Sequence, residues 1–131
     1  MLFKHNIKTN SREEMIDITN YVYDSIKNSK INNGIAVIYV PHTTAGLTIN
    51  ENADPSVKKD ILKFLNDKIP KNYNFSHLEG NSDAHIKSSL FGNSLTVIIS
   101  NGKPLLGTWQ GIYFCEFDGP RNRTFYIKLM G

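Results

Sequence analysis

The fold class is decided by residues 94–130, which read SLTVIISNGKPLLGTWQGIYFCEFDGPRNRTFYIKLM. They contain three stretches rich in β-branched and aromatic residues, 94–100, 107–117 and 123–130, separated by the turn-forming sequences NGKP and DGPR. Tight turns of this kind join antiparallel strands, whereas parallel strands need long crossover connections. We therefore predict a largely antiparallel sheet in the C-terminal part of the chain.

Two further strands are predicted upstream. Residues 34–40, GIAVIYV, are a continuous apolar run, which is typical of a central strand covered on both faces. Residues 2–9, LFKHNIKT, alternate apolar and polar side chains, so they predict a half-buried strand with His5 on its apolar face.

Three helices are predicted from capping residues, apolar residues at helical spacing and helix breakers. They are a helix over 12–28 with a capping box at Ser11 and Glu14, a helix that begins at Asp54 and Pro55 and is ended by Pro70, and a short helix capped by Ser82 or Asp83 and stopped at Gly92. The order of elements indicates an α+β domain with its helices packed on one side of the sheet.

Length and composition favour one domain over residues 1–131, because 40% hydrophobic residues suffice for a single core. No stretch approaches the ~18 apolar residues of a membrane helix, and the start MLFKHNIKTNSREE carries charges where a signal peptide is apolar. We expect a cytoplasmic protein without a membrane partner. The single cysteine, Cys115, lies in a strand-like run and is expected to be a buried, inert thiol.

Charge and motifs exclude several classes of function. The net charge is +3, but no run of five basic residues exists, so we expect no nucleic-acid partner. The phosphate-binding patterns G-x-x-x-x-G-K-[ST] and G-x-G-x-x-G are absent, which argues against ATP-dependent and dinucleotide chemistry. No G-x-S-x-G elbow occurs either.

Three of the four histidines lie in loops or at the ends of predicted elements. His42 follows the strand 34–40, His77 lies in a polar connection, and His85 belongs to the short helix after it. Three imidazole ligands with one open position are a common arrangement in catalytic zinc sites. Spacing alone leaves surface or core histidines as the alternative, since neither H-E-x-x-H nor a cysteine pair is present.

The acidic candidates differ in how readily helix capping explains them. Asp54 is accounted for as a helix cap, whereas Glu51 lies outside the helix and is a candidate general base or partner of a metal-bound histidine. Glu116 interrupts the apolar strand YFCEF, so it is either paired in a site or exposed to solvent.

Arg121 and Arg123 stand together in DGPRNR. They predict either a hairpin turn with exposed arginines or a clamp for an anionic substrate. Thr43 and Thr44, beside His42, are candidates to bind substrate oxygens or to orient that ligand. Trp109 is expected in the core or a subunit interface first, and as a stacking platform second.

Three segments carry a resemblance to a known family: HTTAGLTINENADPSVKKD (42–60), HLEGNSDAHIKSSLFG (77–92) and LLGTWQGIYFCEFDGPRNR (105–123). The sequence resembles the YjbQ family, often called the secondary thiamine-phosphate synthase family, over essentially the whole chain. The resemblance implies a compact α+β sandwich that assembles as a homotrimer, with a pocket near the subunit interface holding a divalent metal, usually zinc, on histidines.

The resemblance also implies site residues and a reaction. The metal ligands it implies are His42, His77 and His85. With these ligands, Glu51 or Glu116 is the candidate to move a proton or orient a ligand, and Arg121 and Arg123, together with Asn50, are the candidates to bind the substrate and its phosphate. The associated reaction is thiamine-phosphate synthesis, in which a pyrimidine-methyl diphosphate joins a thiazole phosphate and diphosphate leaves. The same parts suit metal-assisted hydrolysis of a phosphorylated small molecule. A trimer that binds an anionic metabolite without turnover, or one held together by a closed zinc site, are the other hypotheses.

Overall fold

The computed structural model describes residues 1–131, which form eight strands and three helices. In chain order they are β1 (Leu2–Lys8), β2 (Glu14–Asp17), α1 (Thr19–Ser29), β3 (Gly34–Tyr39), β4 (Ala45–Glu51), α2 (Pro55–Lys68), α3 (Ser82–Phe91), β5 (Ser94–Ser100), β6 (Lys103–Pro104), β7 (Gln110–Glu116) and β8 (Asn122–Met130). None of the helices is long and apolar enough to span a membrane.

The strands form two antiparallel sheets. One has five strands in the order β1-β8-β3-β5-β6, and the other has three in the order β2-β7-β4. Every strand pair is antiparallel, with His5 opposite Phe125 in the first sheet and Ala45 opposite Glu116 in the second. The predicted α+β class with a largely antiparallel sheet is confirmed.

The main core lies between the two sheets and is built by alternation along the strands. On β8, Phe125, Ile127 and Leu129 are buried while the residues between them face outward. Helix α1 adds Val22 and Ile26 to this core. His5 is half-buried at the edge of this core, where it packs against the rings of Tyr21 and Phe125.

A second, smaller cluster lies on the other face of the three-stranded sheet. Its members are Met15, Ala84, Tyr113, Cys115 and Phe117, and Ile61, Leu62 and Leu65 of α2 pack against them. Helices α2 and α3 therefore cover this face together. Cys115 is buried as predicted, and burial raises the pKa of its thiol, which keeps it protonated.

Local signals set the boundaries of α2 and α3 well. Helix α2 begins at Pro55, and the Asp54 side chain accepts a hydrogen bond from the Ser56 N–H. Helix α3 ends at Gly92 as predicted, although its N-cap is Asn81 rather than Ser82 or Asp83.

The helix predicted over 12–28 is wrong in its first part. Residues Glu14–Asp17 form β2, which pairs with β7, and α1 begins only at Thr19. In the strand, Met15 faces the second cluster and Ile16 packs against the main core, so pairing buries both faces of this segment. Glu14 makes no helix cap, and its carboxylate instead accepts the N–H of Asn10. Tertiary pairing overrides the helical spacing here.

Three expectations about the strands also need correction. Only one face of β3 is buried in the chain, since Ala36 and Ile38 point inward while Tyr39 is 43% exposed. Strands β7 and β8 do not form a hairpin, because DGPR carries the chain from one sheet to the other. Trp109 is 62% exposed in the loop before β7, so it is not a core residue.

Candidate functional site

His42, His77 and His85 line one open pocket of about 470 Å³. Four segments meet there: the β3–β4 loop, the connection before α3, α3 itself and the β7–β8 connection with the start of β8. The lining residues are Pro41, His42, Thr43, Thr44, His77, Glu79, Asn81, His85, Asp118, Arg121 and Arg123. Apart from Pro41 they are all polar or charged, and an adjoining pocket of similar size shares His42, Thr43 and His85.

Close packing of α3 on β4 brings His85 to this place. Gly46 lies so near the end of α3 that a Cβ there would come within 2.8 Å of the Gly92 carbonyl oxygen. Ser88 Oγ also donates a hydrogen bond of 2.7 Å to the Ala45 carbonyl. Because β4 follows the loop that carries His42, fixing α3 to β4 also fixes His85 relative to His42.

His77 and His85 form a pair suited to sharing one cation. Their ring centres are 5.6 Å apart and the rings are inclined by 84°. With Zn–N bonds of about 2.0–2.1 Å, two imidazoles on one tetrahedral ion have ring centres about 5 Å apart. The two rings are therefore close enough for both imidazoles to contribute to one cation site.

His42 is arranged differently. Its Nε2 accepts a hydrogen bond of 3.0 Å from the Thr124 backbone N–H. Burial, assisted by the nearby Arg123 charge, lowers the pKa of His42, so the ring is neutral at pH 7 and carries its proton on Nδ1. In this orientation the Nε2 lone pair of His42 is occupied by the Thr124 N–H. The other ring nitrogen, Nδ1, is protonated and can only donate a hydrogen bond to a ligand. No three His, Cys, Asp or Glu side chains are grouped as a ready-made metal site.

Glu116 and Arg123 lie beneath the pocket as a buried ion pair. Glu116 also accepts hydrogen bonds from Thr9 Oγ1 and the Asp118 N–H, so each of its oxygens has two donors. Burial on its own would raise the pKa of Glu116, but the bonds from Arg123 and Thr9 outweigh it and lower that pKa. Arg123 Nη2, which binds Glu116, also donates a hydrogen bond to the Thr44 hydroxyl. Thr44 is buried as well.

Arg121 is the arginine that is accessible to a ligand. Its side chain is half exposed, and it donates from Nε to the Asp118 carbonyl at 2.7 Å and from its terminal nitrogen to the Asp118 carboxylate at 2.9 Å. The hairpin with two exposed arginines is wrong, because the connection joins two sheets and Arg123 is buried against Glu116. Of the two arginines, only Arg121 is placed to bind an anionic ligand. Thr43 lines the pocket and is exposed.

Two predicted residues lie far from the histidines within one chain. Asn50 and Glu51 end the seven-residue strand β4 at the opposite end from Thr44, about 20 Å away at ~3.3 Å per residue. The Glu51 carboxylate accepts the N–H groups of Ala53 and Asp54, which stabilises the turn before α2.

Sequence reasoning missed three polar residues of the pocket: Glu79, Asn81 and Asp118. Asn81 Nδ2 donates hydrogen bonds of 2.8 Å to both carboxylates, which links the connection before α3 to the β7–β8 connection. All three lie in segments whose polar residues surround a glycine, HLEGNSD and DGPR, next to a predicted site residue. That neighbourhood is the signal that could have found them.

Comparison with known proteins agrees with this architecture. The model of the family described as UPF0047 protein YjbQ-like matches residues 3–131. A UPF0047 protein of Methanocaldococcus jannaschii is 72% identical, covering 100% of this chain and 95% of its own length, and UPF0047 protein YugU of Bacillus subtilis is 58% identical over the full length of both.

Solved structures share this fold over nearly the whole chain. A crystal structure of a YjbQ/UPF0047 family protein from Clostridium acetobutylicum superposes with a TM-score of 0.96 at 53% identity, covering 98% of this chain and 99% of that one. A YbjQ-like protein of unknown function from Sulfolobus solfataricus has a TM-score of 0.96 at 30% identity, covering 100% and 96%. On this similarity of sequence and fold, the chain belongs to the YjbQ-like UPF0047 family.

Proposed function

We propose that the pocket binds a small polar molecule carrying a phosphate or diphosphate group and acts on it with the help of a divalent cation, zinc being the first candidate. The observation that supports this most directly is the meeting of His42, His77 and His85 with Arg121 in one polar pocket. Histidine nitrogens are favoured zinc ligands, and the planar guanidinium binds phosphate oxygens in pairs.

Each of these residues has a distinct proposed role. His77 and His85 hold the cation, and His42 joins them if its ring gives up the Thr124 N–H. When bound, the cation neutralises phosphate charge and activates water. Arg121 binds the phosphate, and Thr43 donates to one of its oxygens. Glu51 is distant from the pocket, and both carboxylate oxygens of Glu116 already accept two hydrogen bonds, so Glu116 positions Arg123 instead of transferring a proton. Proton transfer is therefore assigned to Glu79 or Asp118, which line the pocket.

The polar lining favours hydrolysis of a phosphoester over thiamine-phosphate synthesis. Pockets for aromatic rings are usually lined by apolar and aromatic side chains, whereas this one has only Pro41 of that kind within the chain. Hydrolysis breaks one P–O bond and consumes one water, and it leaves an alcohol and inorganic phosphate. Thiamine-phosphate synthase activity and metabolite binding without turnover are the alternatives to test beside it.

A homotrimer is part of the proposal, and the outer face of the five-stranded sheet is the surface that supports it. Four apolar side chains on this face are each more than 40% exposed: Leu2, Tyr39, Ile98 and Met130. Cross-strand partners share one face of a sheet, so Ile35 joins Met130 and Ile98, and Tyr39 joins Tyr126. Between these two rows lie Leu2, Lys128 and Val37, so one lysine stands within the apolar face. Contiguous exposed apolar surface marks association sites. A mass of three chains by light scattering is the expected result.

The test of the metal-dependent part is zinc content and activity on the same preparations. We expect one zinc per chain by elemental analysis, and loss of that zinc in His77→Ala and His85→Ala with the circular dichroism spectrum retained. Glu51→Gln is the matched control, because Glu51 lies at the far end of β4. Phosphate release from a panel of phosphoesters should disappear with a chelator and return with zinc. Full zinc in His85→Ala would show that the ligand set is wrong.

A further inference from the structure

The side-chain amide oxygen of Asn81, Oδ1, has no hydrogen-bond partner in the structure. Asn81 is only 6% exposed and its Oδ1 is enclosed, yet no donor reaches that atom. The residue is the N-cap of α3, but its side chain does not accept from the first turn of the helix. Buried polar atoms are nearly always paired, because an unpaired one loses its bond to water without replacement. We therefore expect Oδ1 to accept a hydrogen bond from a group that is not part of this chain.

The orientation of the Asn81 amide is determined by its neighbours. Nδ2 donates one hydrogen to Glu79 and the other to Asp118, both at 2.8 Å. Exchanging the amide oxygen and nitrogen would set the oxygen against two carboxylates, which are acceptors only. The side chain is thus held so that its acceptor is the free group, and Asn81 lines the same pocket as Arg121 and the histidines.

We infer that Asn81 selects ligands that carry a hydroxyl or amino group near their phosphate: such a group moves aside the atoms that enclose Oδ1 and donates a hydrogen bond to it. The inference rests on the proposed function, since it takes the phosphate to lie beside Arg121. Asp118 supports this placement, because its carboxylate accepts hydrogen bonds from both Arg121 and Asn81. The guanidinium and the amide that carries the free acceptor are therefore held beside the same carboxylate. The substrate class that fits is a hydroxylated phosphoester of low molecular mass.

The test compares two ligands that differ only in hydroxyl groups. Binding of sn-glycerol 3-phosphate and n-propyl phosphate to the full-length, zinc-loaded protein is measured by calorimetry. Wild-type protein should bind the hydroxylated ester about tenfold more tightly, since one buried unpaired acceptor costs that much. In Asn81→Ala the two affinities should agree within about twofold, while Asn93→Ala, an exposed asparagine of the adjoining pocket, should keep the wild-type ratio.

The outcomes separate this inference from the proposed function. If neither ester binds, the proposed function fails. If both bind wild-type protein equally, a water fills the acceptor and the inference fails while phosphate binding stands. If Asn81→Ala loses zinc, the oxygen serves the cation and the inference is again wrong. The wild-type comparison decides the matter even where Asn81→Ala does not fold.

Discussion

Arg123 donates a hydrogen bond of 2.9 Å from Nε to Glu116 Oε1, although the two residues lie on strands of different sheets. The pair is buried and spans the β7–β8 connection, in which Asp118 and Arg121 face the pocket. Glu116 also accepts the Asp118 N–H, so the ion pair holds the segment that carries the accessible arginine. The ion pair therefore positions Asp118 and Arg121, the residues of this connection that line the pocket.

Breaking this ion pair should destabilise the fold. Arg123→Met leaves the Glu116 carboxylate buried without its cation, which we expect to lower the free energy of unfolding by about 3–5 kcal/mol in urea titrations. The double variant with Glu116→Gln should lose less than the sum of the two single changes. Arg121→Met, half exposed, is the control and should change stability by no more than about 0.5 kcal/mol. Equal effects of the two arginine changes would contradict this assignment.

Arg121 should instead be needed for anion binding. We expect Arg121→Ala to weaken the affinity for inorganic phosphate about tenfold or more, because charge-assisted hydrogen bonds are lost while the fold is retained. Lys63→Ala removes an exposed positive charge from α2, away from the pocket, and should leave the affinity within about twofold. Calorimetric titration with phosphate measures both. A similar loss in the two variants would mean that net charge alone attracts the anion.

Acid should unfold the protein through its buried carboxylates. Burial on its own would raise the pKa of Asp83, but hydrogen bonds from Arg12 and Lys87 outweigh it and lower that pKa, as those from Arg123 do for Glu116. A carboxyl whose pKa is lower in the folded state stabilises the fold above its unfolded pKa of about 4 and loses that contribution as the pH falls through the folded value.

The free energy of unfolding should therefore fall below about pH 4, because the unfolded chain takes up protons on these two carboxyls there while the folded chain still keeps them ionised. Asp83→Asn should be less stable than the wild type at pH 7 and should show a shallower decline in acid. Urea titrations from pH 3 to pH 7 measure this. A parallel decline in the two proteins would show that other groups control the acid transition.

The contact between β4 and α3 should couple stability to metal content. A Cβ at residue 46 would lie 2.8 Å from the Gly92 oxygen and 3.2 Å from the Phe91 Cβ, so Gly46→Ala must push α3 away. We expect a loss of roughly 1–3 kcal/mol in stability, and weaker zinc binding because His85 moves with the helix. Gly107→Ala, whose Cβ would meet only the flexible Gln110 side chain at 3.4 Å, is the control. Unchanged zinc affinity in Gly46→Ala would show that the position of α3 does not control zinc binding.

The sequence by itself determined those features that depend on a few neighbouring residues. The Asp54–Pro55 start of α2 and the Gly92 end of α3 follow from capping and backbone geometry, and both are confirmed. The α+β class followed from the strands of residues 94–130, although β7 and β8 lie in different sheets. Of the ten site residues named from the sequence, the structure places seven around one pocket: His42, Thr43, Thr44, His77, His85, Arg121 and Arg123.

Only the tertiary structure decided what depends on contacts between distant segments. Residues 14–17 form a strand because β7 lies beside them, and Arg123 is structural because Glu116 of the other sheet is buried against it. Glu51 lies apart from the histidines because a strand separates neighbours in sequence by its whole length. Asn81 became a site residue only through Glu79 and Asp118. In each case the deciding interaction is with a residue distant in the sequence, which only the folded chain brings close. The residues next to it in the sequence therefore do not predict it.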